Sequence, residues 1–252
     1  MKYIKKQREP KSLAKLRQTP GAKYQGPQEE WQHKLLEEQG YICAYCMARI
    51  SLERDDKGKP DIGIEHYLSR KQRPDLDLDW NNMLGVCNGS FGIDSHCDKA
   101  QGRKNDQGEF IKGKQDGDAK LKVLNPRFKK LSEKVLKYSL SGEILPNTSN
   151  QQLKQQIKED LDCILNLNDS KIRQARKNII EHAKDRLKKK YPKGDWKIQH
   201  IDQEIIAWQS KTPDGKYKAY CQAAIWYLQD LKEKREKRIT AKSSSPRKNP
   251  KI

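Results

Sequence analysis

Ile42-Cys-Ala-Tyr-Cys46, Asp61-Ile-Gly-Ile-Glu-His66, Trp80-Asn-Asn-Met-Leu-Gly-Val-Cys87 and His96-Cys-Asp-Lys99 form the part of this 252-residue chain that decides its fold. Cys43 and Cys46 have knuckle spacing: two thiolates separated by two residues hold one zinc while the backbone between them turns tightly. Cys87 and Cys97 can supply the second half of the same tetrahedron, with His96 the alternative to Cys97. The Cys87-to-Cys97 interval is wide and contains Gly89, Gly92 and Asp94, so the halves are not two equal knuckles. Asp61 to Ile64 is a short run with β-branched residues that reads as a strand leading into Glu65-His66. The expectation is a zinc-stapled hairpin that presents a carboxylate and an imidazole at a strand end.

Composition bounds what such a site would meet. The chain holds 53 Lys and Arg against 34 Asp and Glu, a formal charge of +19. That excess concentrates polyanions near the surface and favours phosphate contacts. Hydrophobic residues make up 34%, so the core should be small and helped by metal. No apolar run approaches the roughly 18 residues of a membrane span, and no membrane association is expected. Met1-Lys-Tyr-Ile-Lys-Lys6 lacks an apolar stretch, so no signal peptide and a cytoplasmic location are expected. In that compartment paired cysteines point to metal rather than disulfides.

Outward from the cysteine stretch, residues 1–28 form a basic arm with three prolines, either packed on another element, a partner or nucleic acid, or disordered. A helix is expected from about Gln28 to Gln39, with Trp31, Leu35 and Leu36 on one face and Gly40 as its stop. Residues 53–60 read as a polar turn, residues 101–120 as a loop, and Leu121 to Pro126 as a brief strand-like exit. From Gln151 the pattern is helical: Leu153, Ile157, Leu161, Ile164 and Leu165 recur at three- and four-residue steps. Asn168-Asp-Ser170 can cap the next helix, which Tyr191-Pro-Lys-Gly194 ends. A third helix carries Ile201, Ile205, Ile206 and Trp208, and a fourth carries Tyr220, Ala223, Ala224, Tyr227, Leu228 and Leu231. Residues 183–252 hold 19 Lys and Arg against 8 Asp and Glu, so they supply +11 of the +19. The division expected is a basic arm over 1–28, a zinc-bearing core over 29–120, a helical region over 121–231 and a basic, disordered tail over 232–252.

Cys43-x2-Cys46, Ile64-Glu-His66, Trp80-Asn-Asn-Met-Leu84 and Cys87…His96-Cys97-Asp98-Lys99 resemble the HNH (ββα-metal) endonuclease family. They look closest to the zinc-bearing, PtuB-type nucleases of Septu and retron anti-phage systems. The matched residues cover about a quarter of the chain. The resemblance implies an α+β fold: a zinc-stapled ββα-metal HNH core followed by a mainly helical C-terminal region.

It also implies roles. His66 would be the general base, which suits an imidazole with an ordinary pKa of about 6.5. Glu65 would help hold a divalent ion, Mg2+ or Mn2+, which oxygen ligands favour. Asn82 would bridge backbone groups and keep His66 aimed, with Asn81 the adjacent competitor. Asp98 stands where the family usually has His or Asn, and a carboxylate there would join Glu65 on the ion, with His96 the alternative for that role. Lys99 and the run Lys188, Lys189 and Lys190 are candidate nucleic-acid contacts, although lysines on helices are most often only solvated. The implied function is metal-dependent hydrolysis of phosphodiester bonds, in DNA or in RNA including tRNA, gated by a PtuA-like ABC/SMC-type ATPase. The alternative is a catalytically inactive, zinc-stabilised nucleic-acid-binding or adaptor module. Cys163, Cys221, His33, His182 and His200 lack partner spacing and read as ordinary buried or surface residues.

Overall fold

The computed structural model describes residues 1–89, 95–100, 121–129, 133–194 and 196–243. The fold mixes helices with two small antiparallel sheets, an α+β arrangement. The loop expected over 101–120 lies outside the described residues.

The arm is not featureless. It contains a short helix α1 (Lys11–Arg17), which buries Leu13 completely. Ahead of α1, the Ile4 amide bonds the Pro126 carbonyl (2.7 Å) and the Gln7 amide bonds the Glu38 carboxylate (2.7 Å). Lys6 pairs with Glu38 (2.7 Å), donates to the Met83 carbonyl (3.0 Å) and stacks on Trp80. Helix α2 (Glu29–Gln39) buries Trp31, Leu35 and Leu36, as its apolar spacing requires, and Trp31 donates to Ser12 (2.8 Å). Its stop is Gly40 at φ 63°. A side chain there would be strained in this left-handed conformation, and its Cβ would come within 2.4 Å of the Tyr217 ring.

Strand β1 (Gly63–His66) pairs antiparallel with β2 (Met83–Val86), setting Glu65 opposite Leu84 and His66 opposite Met83. This is two residues later than the expected strand. Asp61 is held instead by Glu53, its amide 3.1 Å from that carbonyl, as part of the polar turn. Every residue of β2 is buried. The knuckle docks on β2 through the Ala44 amide and the Gly85 carbonyl (3.0 Å). The buried Gln39 side chain serves as a surrogate strand. Its amide donates to the carbonyls of Gly85 (2.8 Å) and Ile42 (2.9 Å), and its oxygen accepts from the Gly85 N–H (2.7 Å). A Cβ at Gly85 would press on that amide at 3.2 Å, so a larger residue would displace it.

Leu121 to Pro126 is not a strand. The N–H groups of Lys122, Val123 and Leu124 all point to the carboxylate of Asp160 (2.8, 2.7 and 2.8 Å), which is wholly buried. A second hairpin, β3 (Leu136–Tyr138) with β4 (Ile144–Pro146), has no counterpart in the expectations. Helix α3 (Gln151–Lys158) runs into a wide turn over Glu159–Ile164. Helix α4 (Ser170–Lys190) starts at the Asp169 cap and buries Arg176 among its apolar residues. There Arg176 donates to the carbonyls of Gly142 and Leu167. Helix α5 (Ile198–Gln209) buries Ile201, Ile205 and Trp208 but leaves Ile206 60% exposed, off the packed face.

Helix α6 (Cys221–Ser243) runs into the expected disordered tail: residues 232–243 continue the helix, helped by Lys234–Asp230 and Lys232–Glu236 pairs at i,i+4 spacing, while 244–252 lie outside the described residues. Among the described residues no helix is long and apolar enough to cross a membrane. One buried cluster runs from Ile4 and Leu13 through the knuckle and β2 to Leu165, Ile180 and Ala223, so the expected boundary near residue 121 is not a break in the core.

Asp160→Ala should lower unfolding stability by about 3 kcal/mol, because three N–H groups, two of them buried, lose a charged acceptor. Urea unfolding checks this, and Asp160→Asn should lose less.

Candidate metal centre and hairpin site

The knuckle is tight because Met47 takes φ 66°, the Met47 amide bonds the Cys43 carbonyl (3.1 Å) and the Cys43 amide bonds the Ala48 carbonyl (2.9 Å). The Ala48 N–H reaches the Cys46 sulfur at 3.4 Å. Cys87 follows directly after β2. Cys97 opens a short 3₁₀ turn (Cys97–Ala100) at φ 57°, its amide bonded to the Leu165 carbonyl at 2.8 Å. Asn166 fixes the same segment from the helical side by donating to the Ser95 carbonyl (2.9 Å).

These constraints bring Cys43, Cys46, Cys87 and Cys97 together, buried, with all four sulfurs within 4.8 Å of one another. The Cys43–Cys97 and Cys46–Cys87 sulfur separations are 3.8 and 3.7 Å. A regular tetrahedron of thiolates at Zn–S of about 2.3 Å has edges of about 3.8 Å. Four buried, unbridged cysteines in this arrangement could hold a zinc ion. His96 is not in the set. Its Nδ1 lies outside the thiol group, 3.3 Å from the Cys97 sulfur and 3.8 Å from that of Cys87.

The buried thiols bond one another and ionise unequally. Burial opposes ionisation of Cys43, but hydrogen bonds with Cys46, Cys87 and Cys97 outweigh it and hold this thiol well below its ordinary range. Cys87 is pushed up, chiefly through its hydrogen bond with Cys43, and Cys97 is pushed well up by burial. Ligation requires deprotonated thiols, so metal binding at this cluster would release protons and depend on pH.

His66 closes β1 and is 8% exposed. Its Nε2 lies 2.9 Å from the Asp77 carbonyl oxygen. A carbonyl can only accept, so Nε2 carries the proton and Nδ1 holds the lone pair. Burial pushes the imidazole below its ordinary pKa and Arg70 adds to this, while the Asp77 hydrogen bond and the Asp98 charge oppose it. Tyr24, from the arm, meets the imidazole edge-on with ring centroids 4.7 Å apart.

Asn82, not Asn81, is the buried amide. Its oxygen accepts from the Leu68 N–H (2.8 Å), and its nitrogen donates to the carbonyls of Leu68 (2.9 Å) and Leu76 (3.3 Å). It thereby ties the loop after His66 back to the start of β2. Asn81 is exposed and donates to Asp79.

Glu65 and His66 are consecutive on a strand, so their side chains leave opposite faces. Asp98 is in electrostatic reach of both faces. Its charge acts on His66, and together with Glu65 it raises the phenol of Tyr45, already pushed well up by burial. Apart from the four cysteines, no group of three His, Cys, Asp or Glu residues draws its ligand atoms within 4.8 Å among the described residues. Glu65, His66 and Asp98 thus share a neighbourhood without forming a closed cage.

Lys99 is exposed on the 3₁₀ turn. Lys188, Lys189 and Lys190 form the last turn of α4, where they also complement the helix dipole. Lys188 pairs with Asp185 (3.4 Å) and Lys190 with the buried Glu204 (3.6 Å). Sequence reasoning did not pick out Tyr24, Arg70, Asp77 or Tyr45, which surround the imidazole and the carboxylates. The Tyr45 position inside the knuckle was its one available signal. The others belong to the arm and the charged loop, where no spacing marks them.

Compared with known proteins, the chain matches no protein-family model and no curated protein.

Metal analysis of the purified chain should find one zinc per molecule. Cys43→Ser and Cys87→Ser should lose it and become insoluble or protease-sensitive, whereas His96→Ala should keep it. Well-folded serine variants at both positions would rule out a structural zinc.

Proposed function

We propose that the chain is a metal-dependent HNH-type endonuclease that hydrolyses phosphodiester bonds. The observation that carries this reading is the buried His66, whose Nε2–H is tied to the Asp77 carbonyl so that Nδ1 is left as a proton acceptor. A neutral imidazole oriented in this way is the form a general base requires. The hairpin beside the cysteine cluster, the Asn82 bridge and the +19 charge support the same reading.

In this mechanism Nδ1 of His66 takes a proton from water as its oxygen bonds to phosphorus. The bond from phosphorus to the 3′ oxygen breaks, and that oxygen takes a proton from solvent. Asp77 and Asn82 keep the ring aimed throughout. Glu65 and Asp98 would hold Mg2+ or Mn2+, which supplies charge stabilisation at the phosphate and the leaving oxygen. Zinc in the four cysteines would be structural. Backbone contacts from basic residues, Lys99 and Lys188 to Lys190 among them, would hold the substrate without reading its sequence. DNA is favoured over RNA as substrate. The sequence resemblance extends the proposal to a cytoplasmic role in anti-phage defence with a PtuA-like ATPase, which co-purification from the native host would test.

A second reading, a zinc-stabilised nucleic-acid-binding or adaptor module, is favoured by one observation: Glu65, His66 and Asp98 do not bring their ligand atoms together. The two readings separate on one variant. His66→Ala should cut cleavage of plasmid DNA in magnesium or manganese by about a hundredfold or more while binding in a gel shift persists. Equal cleavage by the variant would remove His66 from the chemistry. Wild-type binding without any cleavage would establish the second reading.

A further inference from the structure

Asp77 is bonded at both ends. Its carbonyl oxygen accepts from His66, and its carboxylate accepts the backbone N–H of Tyr24 at 2.7 Å. One loop residue therefore sets both the imidazole and the arm that passes it. The Tyr24 ring contacts three groups: Trp31, tilted with ring centroids 6.0 Å apart, the imidazole, edge-on at 4.7 Å, and the guanidinium of Arg70, whose carbon lies 4.9 Å from the ring centroid. Arg70 Nε is 3.8 Å from Asp77 Oδ1, too far for a hydrogen bond, and the Arg70 side chain is 51% exposed. Asp77 Oδ1 is itself buried without a hydrogen-bond partner, so the carboxylate steers the guanidinium without saturating it. Its reach to the imidazole is also electrostatic, since the Arg70 charge acts on His66.

We propose that Arg70, held on the Tyr24 ring, binds a backbone phosphate of the nucleic acid beside His66, with Tyr24 as its positioning residue. The inference deepens the nuclease reading by adding a substrate contact to the same site. A guanidinium suits the task because its planar fork matches two phosphate oxygens, stacks on an aromatic face and stays charged. The arm thereby becomes part of the substrate surface, although its own sequence has no recognisable binding motif.

The test is fluorescence anisotropy with a labelled DNA duplex across a salt series, without added magnesium or manganese. Each phosphate neutralised on duplex DNA contributes about 0.9 to the slope of log affinity against log salt. Arg70→Gln should lower that slope by about one and weaken binding several-fold at low salt. Arg70→Lys should keep the slope but bind more weakly than wild type, because an ammonium lacks the fork. Tyr24→Leu should weaken binding by less than Arg70→Gln. An unchanged slope and affinity in Arg70→Gln, no measurable binding by wild type, or loss of folding in both Arg70 variants would each overturn the inference. Cleavage by His66→Ala is scored separately. A dead His66→Ala with an unchanged Arg70→Gln sinks only the phosphate contact, whereas an active His66→Ala with a reduced Arg70→Gln slope sinks only the nuclease reading.

Discussion

Convergence of four thiols from three parts of the chain is the constraint on which the rest depends. The knuckle gives two, the end of β2 gives the third, and a turn tied to the helical half gives the fourth. Their sulfurs meet at separations that suit one tetrahedral cation. A chain with so little apolar material gains from such a clamp, because burial alone yields limited stability in a small core. The clamp also fixes the hairpin. With Ala44 bonded to Gly85 and Gln39 bonded to both sides of that residue, β2 has no freedom to slip, and a one-residue slip would turn Glu65 and His66 to the wrong faces.

Around the imidazole the protein uses backbone rather than charge. The proton on Nε2 is placed by a carbonyl, and the loop carrying that carbonyl is pinned by the Asn82 amide. Burial lowers the imidazole pKa and Arg70 adds to this, against the raising effects of the Asp77 carbonyl bond and of the Asp77 and Asp98 charges. Charge acts on the ring from Asp77 and Asp98, which favour its protonation, and from Arg70, which opposes it.

Local features were legible in the sequence, and long-range side-chain bonds were not. The cysteine spacing, the Gly40 stop, the Asp169 cap and the apolar rows of α2, α4 and α6 all act within a few residues, so their patterns survive in one dimension. Gln39 on Gly85, Asp160 beneath Lys122 to Leu124, buried Arg176 and Tyr24 against His66 join residues distant along the chain and leave no period to read. Asp160 also explains why an apolar run that resembled a strand became a loop: its amides bond a carboxylate, not a neighbouring strand. Residues 232–243 show the opposite error. Their charge suggested disorder, but the charges alternate in sign at helical spacing and lengthen α6.

The bond from the Cys97 amide to Leu165, with Asn166 on Ser95 beside it, carries a wider meaning. It rivets the cysteine stretch to the helices, so neither half is an autonomous module. Cutting the chain between them would strip the fourth thiol of its backbone support, and oxidising any one sulfur would loosen the helices as well as the hairpin. The two halves should therefore melt as a single cooperative unit.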